Sequence, residues 1–100
     1  MTTSKTAILK KLGEVLNTIT DGEYGAPIIK TKKDGFRCDT LCWDGPSEWV
    51  VCASGTSIFG PSFGRYSAPV QPEIQKVLDL AEENGYYFEP ENYSQLCLAD

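Results

Sequence analysis

Histidine is absent from this sequence of 100 residues. Histidine is the side chain most often used for proton transfer near neutral pH, and it is the commonest ligand of transition metals. No nucleophile elbow, phosphate-binding loop, dinucleotide fingerprint or EF-hand spacing is found either. An enzyme that uses Cys52, a loop serine or a pair of carboxylates is therefore the last of our function hypotheses, and we expect no enzymatic activity and no cofactor.

Long apolar runs are also missing. No stretch approaches the about 20 apolar residues that span a bilayer, and the N-terminus lacks the apolar core of a secretory signal. We therefore expect a cytoplasmic protein without membrane contact. Only four cysteines are present, and for an intracellular chain we expect them to be reduced thiols.

Basic residues are fewer than acidic ones, nine against 14, which gives a formal net charge of −5. This charge opposes direct binding to nucleic-acid phosphates or to an anionic membrane. Most lysines lie before residue 40, whereas the part after residue 72 is strongly acidic: Glu73, Asp79, Glu82, Glu83, Glu89, Glu91 and Asp100. A basic partner would fit this half of the chain.

Two amphipathic helices are predicted by apolar residues at steps of three and four. The first contains Ile8 to Ile19, with Ser4 or Thr3 as its cap and Asp21-Gly22 as its stop. The second starts near Pro72 and ends at Gly85.

Strands are predicted at 26–31, 36–43 and 48–53, separated by turns at 33–35 and 44–47. Together the three strands would form an antiparallel meander, in which the second turn places Trp43 opposite Glu48. The strand face that carries Leu41 and Trp43 is expected to be partly uncovered, because charged residues share it. The stretch 54–69 reads as a long loop, 86–88 as a short closing strand, and Pro90 as the start of a final helical turn with Tyr93, Leu96 and Cys97.

These elements predict one α+β domain over residues 1–100. Its three- or four-stranded antiparallel sheet would have both amphipathic helices packed on one face. The strand near Ala26 fits an edge, because Pro27 has no amide donor.

The cysteines could be imagined as a zinc site made of Cys38, Cys42, Cys52 and Cys97. Cys38 and Cys42 would lie ~13 Å apart along one strand, too far for a zinc knuckle or for a disulfide between them. We interpret the cysteines as small buried apolar side chains and expect no metal site. Calcium is an alternative ligand, and the candidate sites are Asp39, Asp44 and Glu48, or Glu82, Glu83, Glu89 and Glu91. We prefer the interpretation that these carboxylates are ordinary solvent-exposed surface charges.

The most distinctive segment, 55–66, combines glycines with Ile58, Phe59, Phe63, Arg65 and Tyr66. Aromatic residues and arginine dominate binding hot spots, and long loops in compact domains are often functional. Alternatively, Phe59 and Phe63 close one end of the core, or the loop holds an anion.

The leading hypothesis is a small acidic, non-enzymatic protein that occupies the surface of a basic nucleic-acid enzyme. In size, charge and lack of catalytic groups the chain is similar in general character to immunity proteins and phage-encoded inhibitors, including anti-CRISPR proteins. A calcium- or anion-binding domain is the alternative. The predicted partner-binding residues are Phe59, Phe63, Arg65, Tyr66, Trp43, Glu82 and Glu83.

Overall fold

The computed structural model describes residues 3–45, 72–92 and 94–100. These residues form an α+β arrangement of helices and a four-stranded antiparallel sheet, as the sequence predicts. In chain order the elements are α1 (Lys5–Ile19), β1 (Ile28–Lys30), a 3-10 turn (Lys32–Asp34), β2 (Thr40–Cys42), α2 (Pro72–Glu83), β3 (Tyr87–Asn92) and β4 (Gln95–Ala99). Within the described ranges, neither helix has the length and apolarity needed to cross a membrane.

Helix α1 begins and ends at the predicted signals. The Ser4 hydroxyl accepts a hydrogen bond from the Ala7 amide at 3.2 Å, which satisfies one of the free donors of the first turn. At the other end Asp21 and Gly22 have φ values of 58° and 74°, and the Gly22 amide donates to the Asn17 carbonyl. This left-handed pair turns the chain out of the helix.

Gly13 lets α1 approach the sheet closely. A Cβ atom at this position would lie 3.6 Å from both Leu41 and Pro27. Little space is therefore left between α1 and the sheet at this point, and a side chain larger than alanine would push α1 away from β1 and β2.

The strands lie in the order β1-β2-β4-β3, and every neighbouring pair is antiparallel. β1 and β2 are shorter than the predicted strands 26–31 and 36–43. The position of β1 at an edge agrees with the missing amide donor of Pro27.

The predicted turn at 33–35 is confirmed. Thr31 and Asp34 form a reciprocal capping box, and Gly35 has φ 89°.

The predicted final helical turn is wrong, because Gln95–Ala99 is strand β4. Its side chains alternate between the two sheet faces, with Leu96 and Leu98 in the core and Cys97 on the other face. Pro90 lies in β3, an edge strand, where a missing amide donor is tolerated.

The predicted pairing of strand 36–43 with strand 48–53 is also wrong at Thr40–Cys42, because β1 and β4 occupy both edges of β2. The 48–53 strand and the 54–69 loop themselves lie outside the described residues.

The core joins helix and sheet residues in one cluster. The buried side chains are Ile8, Leu9, Leu12, Leu16, Leu41, Trp43, Ile74, Val77, Ala81, Phe88, Leu96 and Leu98. The expectation that the Leu41 face of β2 is partly uncovered is thus wrong, because Leu41 and Trp43 are buried there. α1 contacts α2, β1 and β2, and α2 contacts β3; packing of both helices on one sheet face stays a prediction.

Candidate functional site

The predicted partner-binding residues fall into three groups. Phe59, Phe63, Arg65 and Tyr66 lie outside the described residues. Trp43 is buried, and Glu82 and Glu83 are exposed near the end of α2.

Trp43 is not available as a surface anchor. Only 4% of it is exposed, its indole Nε1–H donates to the Gly25 carbonyl at 3.3 Å, and its ring meets that of Tyr24 edge-on at 5.9 Å. The expected exposure of Trp43 is therefore wrong. The physical reason is that Trp43 packs against Tyr24 and Gly25, in the segment that follows α1, and joins the same buried cluster as Leu41.

Helix α2 presents an acidic face to solvent, made of Asp79, Glu82 and Glu83. Residues three and four apart lie side by side on a helix, so these three carboxylates form one patch. The Gln75 amide donates to Asp79 at 2.9 Å, and none of the ion pairs formed among the described residues includes Asp79, Glu82 or Glu83.

The position of this acidic face opposes helix stability. The last turn of α2 contains no basic residue. The carboxyl end of a helix carries a partial negative charge, so each carboxylate there costs roughly 0.3 to 1 kcal/mol at low ionic strength. A cationic partner would relieve this repulsion.

A second feature lies on the sheet face opposite Leu41 and Leu96. Thr40, Cys97 and Glu89 are cross-strand neighbours there, and Tyr87 faces Ala99 in the same way. Above this face lies a polar cavity of about 540 Å³, which we call the cysteine cleft. Its lining residues are Lys5, Lys32, Arg37, Cys38, Asp39, Tyr87, Glu89, Ala99 and Asp100.

A disulfide joins Cys38 to Cys97, with Cα atoms 6.3 Å apart. This distance lies within the ordinary range for such bonds. The expectation of reduced, merely space-filling cysteines is wrong for this pair. The two residues are 59 positions apart, and only the pairing of Thr40 with Cys97 brings them together. No local sequence signal marks such a pair.

Two of the three cations that line the cleft are in ion pairs. Arg37 binds both Glu89, at 3.1 Å, and Glu91, and Lys5 binds Asp100 at 3.2 Å while its ammonium lies 5.3 Å from the centre of the Tyr86 ring. The hydrogen bond to Glu91, followed by that to Glu89, raises the pKa of Arg37 above its ordinary value. The cleft lining contains three cationic and three anionic side chains, so it has no net charge.

Metal binding has a limited basis among the described residues. The Sγ atoms of Cys38 and Cys97 and a carboxylate oxygen of Glu91 lie within 4.8 Å of one another. In the disulfide the sulfurs are not thiolates, so this set offers metal ligands only after reduction. The acids suggested for calcium are not gathered into a group of three carboxylates in the described ranges, and Glu48 lies outside them.

Cys42 differs from the bonded pair. It is a free, half-buried thiol, and burial raises its pKa; Asp44 acts in the same direction, whereas Lys30 opposes it. The Cys42 thiol is thus held in its less reactive, protonated form.

A shallow groove of about 770 Å³ runs between α1 and α2. Val15, Ile19, Val77 and Leu80 give it an apolar surface. Its charged residues balance, with Lys11 and Lys76 against Glu14 and Glu73. The groove therefore shows no preference for a partner of either charge.

A comparison with protein-family models, with curated proteins and with solved structures finds no match to this chain.

Proposed function

We propose that this protein is a non-enzymatic protein-binding module, a small acidic inhibitor or immunity-type protein of the kind encoded by phages. It would occupy the surface of a basic nucleic-acid enzyme. The acidic face of α2 would make the first contact, and the predicted residues Phe59, Phe63, Arg65 and Tyr66 would add apolar anchors. The proposed location is the cytoplasm.

The observation that carries this proposal is the acidic face formed by Asp79, Glu82 and Glu83. The three carboxylates share one exposed surface and are in none of the ion pairs formed within the described ranges. Glu82 and Glu83 also lie in the last turn of α2, where negative charge is unfavourable. Charges that served only the stability of the fold would have the opposite sign at this position. A lysine- or arginine-rich surface on a partner supplies that opposite sign.

Electrostatic attraction of this kind acts mainly on the rate of association. A single-signed patch steers a partner of opposite charge and can raise the association rate by ~10 to 1000-fold, an effect that salt weakens. The protein should therefore bind its partner faster at low ionic strength, and the gain should depend on α2.

The test is capture of partners from a host lysate, followed by association kinetics with the purified partner. The altered protein carries Glu82→Lys and Glu83→Lys. The matched control carries Glu14→Lys and Glu23→Lys, which changes the net charge by the same amount at exposed positions that are not part of the acidic face. A second arm changes Phe63 and Arg65 to alanine.

We expect the unmodified protein and the control to capture a basic nucleic-acid enzyme and to inhibit it. The Glu82→Lys/Glu83→Lys protein should associate at least about tenfold more slowly at low salt. Equal association rates for the two double variants would show that net charge alone acts, and the absence of any captured basic enzyme at low salt would refute the proposal.

A further inference from the structure

We infer that Cys38 and Cys97 form a redox-active pair that undergoes thiol–disulfide exchange with small disulfide compounds, with Cys38 as the entry sulfur and Cys97 as the resolving sulfur. The inference rests on the cysteine cleft and does not depend on the proposed binding function. The cysteine cleft and the acidic face share no residue, so thiol–disulfide exchange and partner binding can be tested separately.

The first observation is the proximity of the two sulfurs. The structure holds them as a disulfide with an ordinary Cα separation of 6.3 Å, fixed by the β2–β4 register. The backbone on both sides of this point is tied as well, since the Leu98 amide donates to the Asp39 carbonyl at 3.0 Å. After reduction the same backbone keeps the two thiols within bonding reach.

The second observation is the difference in access between the two sulfurs. Cys38 is half-buried and lines the cysteine cleft, whereas Cys97 is fully buried and does not reach the cleft surface. An external compound therefore meets Cys38 first. A cleft of about 540 Å³ has room for a small molecule.

The third observation is the charge pattern around Cys38. Lys5 projects from α1, Lys32 from the 3-10 turn, and Asp100 from the C-terminus, while Arg37, Asp39, Glu89 and Glu91 lie on and beside β2 and β3. Lys32 and Asp39 line the cleft and are in none of the ion pairs formed among the described residues. One cation and one carboxylate are thus available to a disulfide compound that carries both ammonium and carboxylate groups, such as a disulfide of amino acids or short peptides.

The Cys38 thiolate attacks one sulfur of the compound RSSR, a Cys38–S–SR bond forms, and RS⁻ leaves. The Cys97 thiolate then attacks the Cys38 sulfur, the Cys38–Cys97 bond forms, and the second RS⁻ leaves. Each RS⁻ takes up a proton, so the protein loses two electrons and two protons while RSSR becomes two RSH. Excess RSH drives the reverse reaction.

The Glu91 carboxylate lies within 4.8 Å of both sulfurs. It is also bound to Arg37, so its negative charge beside the two sulfurs is balanced by a cation. Cys42, by contrast, has no bonded partner and a pKa raised by burial, so it provides an internal comparison in the same molecule.

The experiment treats fully reduced protein with oxidised glutathione and identifies the modified cysteines by peptide mass spectrometry. In wild-type protein we expect the Cys38–Cys97 disulfide and two released glutathione thiols. In Cys97→Ser and Cys97→Ala we expect a stable glutathione adduct on Cys38, formed roughly tenfold faster than any adduct on Cys42. In Cys38→Ser, Cys97 should stay unmodified because it is buried.

Circular dichroism of each variant establishes that it is folded before the reaction. The inference fails if both Cys97 variants are folded and leave Cys38 no more modified than Cys42. It also fails if wild-type protein retains a glutathione adduct on Cys38 without closing the bridge, or if Cys97 reacts in Cys38→Ser as fast as Cys38 does in Cys97→Ser.

Discussion

The cysteine cleft and the acidic face of α2 use charge in different ways. In the cleft, Lys5 pairs with Asp100 and Arg37 pairs with two glutamates, so these charges hold neighbouring elements together. On α2, three carboxylates share a surface, and none of them is in an ion pair with another described residue. Paired charges of this type organise a structure, whereas an unpaired group of one sign is free to meet another molecule.

The two regions should therefore respond differently to mutation. Changes in the cleft should lower the stability of the fold. Charge reversal on α2 should raise it while weakening the proposed binding.

Removal of the disulfide should have the largest effect. The bond closes a loop between residues 59 positions apart, for which loop-closure entropy predicts about 4 kcal/mol of stabilisation. Cys38→Ser should lower the free energy of unfolding of the oxidised protein by about this amount, measured by urea denaturation. Under reducing conditions the difference should largely disappear. Cys42→Ser is the control, and a similar redox-dependent loss in that variant would contradict the assigned pairing.

Charge reversal on the acidic face should act in the other direction. Glu82→Lys with Glu83→Lys places cations at the negative end of α2 and should raise the free energy of unfolding by about 1 kcal/mol at low salt. Thermal unfolding at low and high salt measures the effect, which salt should reduce. Glu14→Lys with Glu23→Lys serves again as the charge-matched control. A destabilised Glu82→Lys/Glu83→Lys protein would mean that these carboxylates support the fold.

Loss of the Lys5 contacts should have a smaller effect. The Lys5 side chain is 25% exposed and binds the largely exposed Asp100, and it also lies beside the Tyr86 ring. Because solvent screens this pair, Lys5→Met should lower the free energy of unfolding by only about 0.5 kcal/mol. Lys10→Met, at an exposed position of the same helix, should be nearly neutral in urea denaturation; equal losses would show that the cleft contacts contribute nothing.

The smallest effect should come from Asp34 in the 3-10 turn that leads into the cleft. The hydrogen bond from the Thr31 amide, at 2.9 Å, lowers the pKa of the Asp34 carboxyl below its ordinary value. A carboxyl whose pKa is lower in the folded protein adds stability above its unfolded pKa, and this contribution disappears as pH falls through the folded value.

NMR titration should therefore give Asp34 a midpoint below that of an unstructured aspartate. Asp34→Asn should be slightly less stable than wild type near neutral pH and equal to it at strongly acidic pH. A difference that persists unchanged into acid would show that the carboxylate charge is not the cause.

Local signals in the sequence were sufficient for the helices and for one turn. The Ser4 cap, the positive-φ residues Asp21 and Gly22, and Gly85 after α2 all act within a few residues of the boundary they set. The capping box between Thr31 and Asp34 is local in the same sense. Signals of this range are visible in a single sequence.

The C-terminal strand shows where local reasoning fails. Pro90 resembles the first residue of a helix, yet Gln95–Ala99 pairs with β2 on one side and with β3 on the other. The register with β2, which sets Leu41 opposite Leu96, depends on residues more than 50 positions away. The burial of Trp43 has a similar origin, because it depends on Gly25 and Tyr24, which lie 18 and 19 positions away along the chain.

The sequence by itself determined the α+β composition, the limits of both helices, the turn before β2 and the acidity of α2, because each depends on side chains close together along the chain. Only the folded arrangement buries Leu41 and Trp43 and bonds Cys38 to Cys97. It also pairs Lys5 and Arg37 with carboxylates near those cysteines, whereas Asp79, Glu82 and Glu83 have no ion pair with another described residue. These properties depend on strand order and helix packing, which are set by contacts between distant residues that no local pattern records.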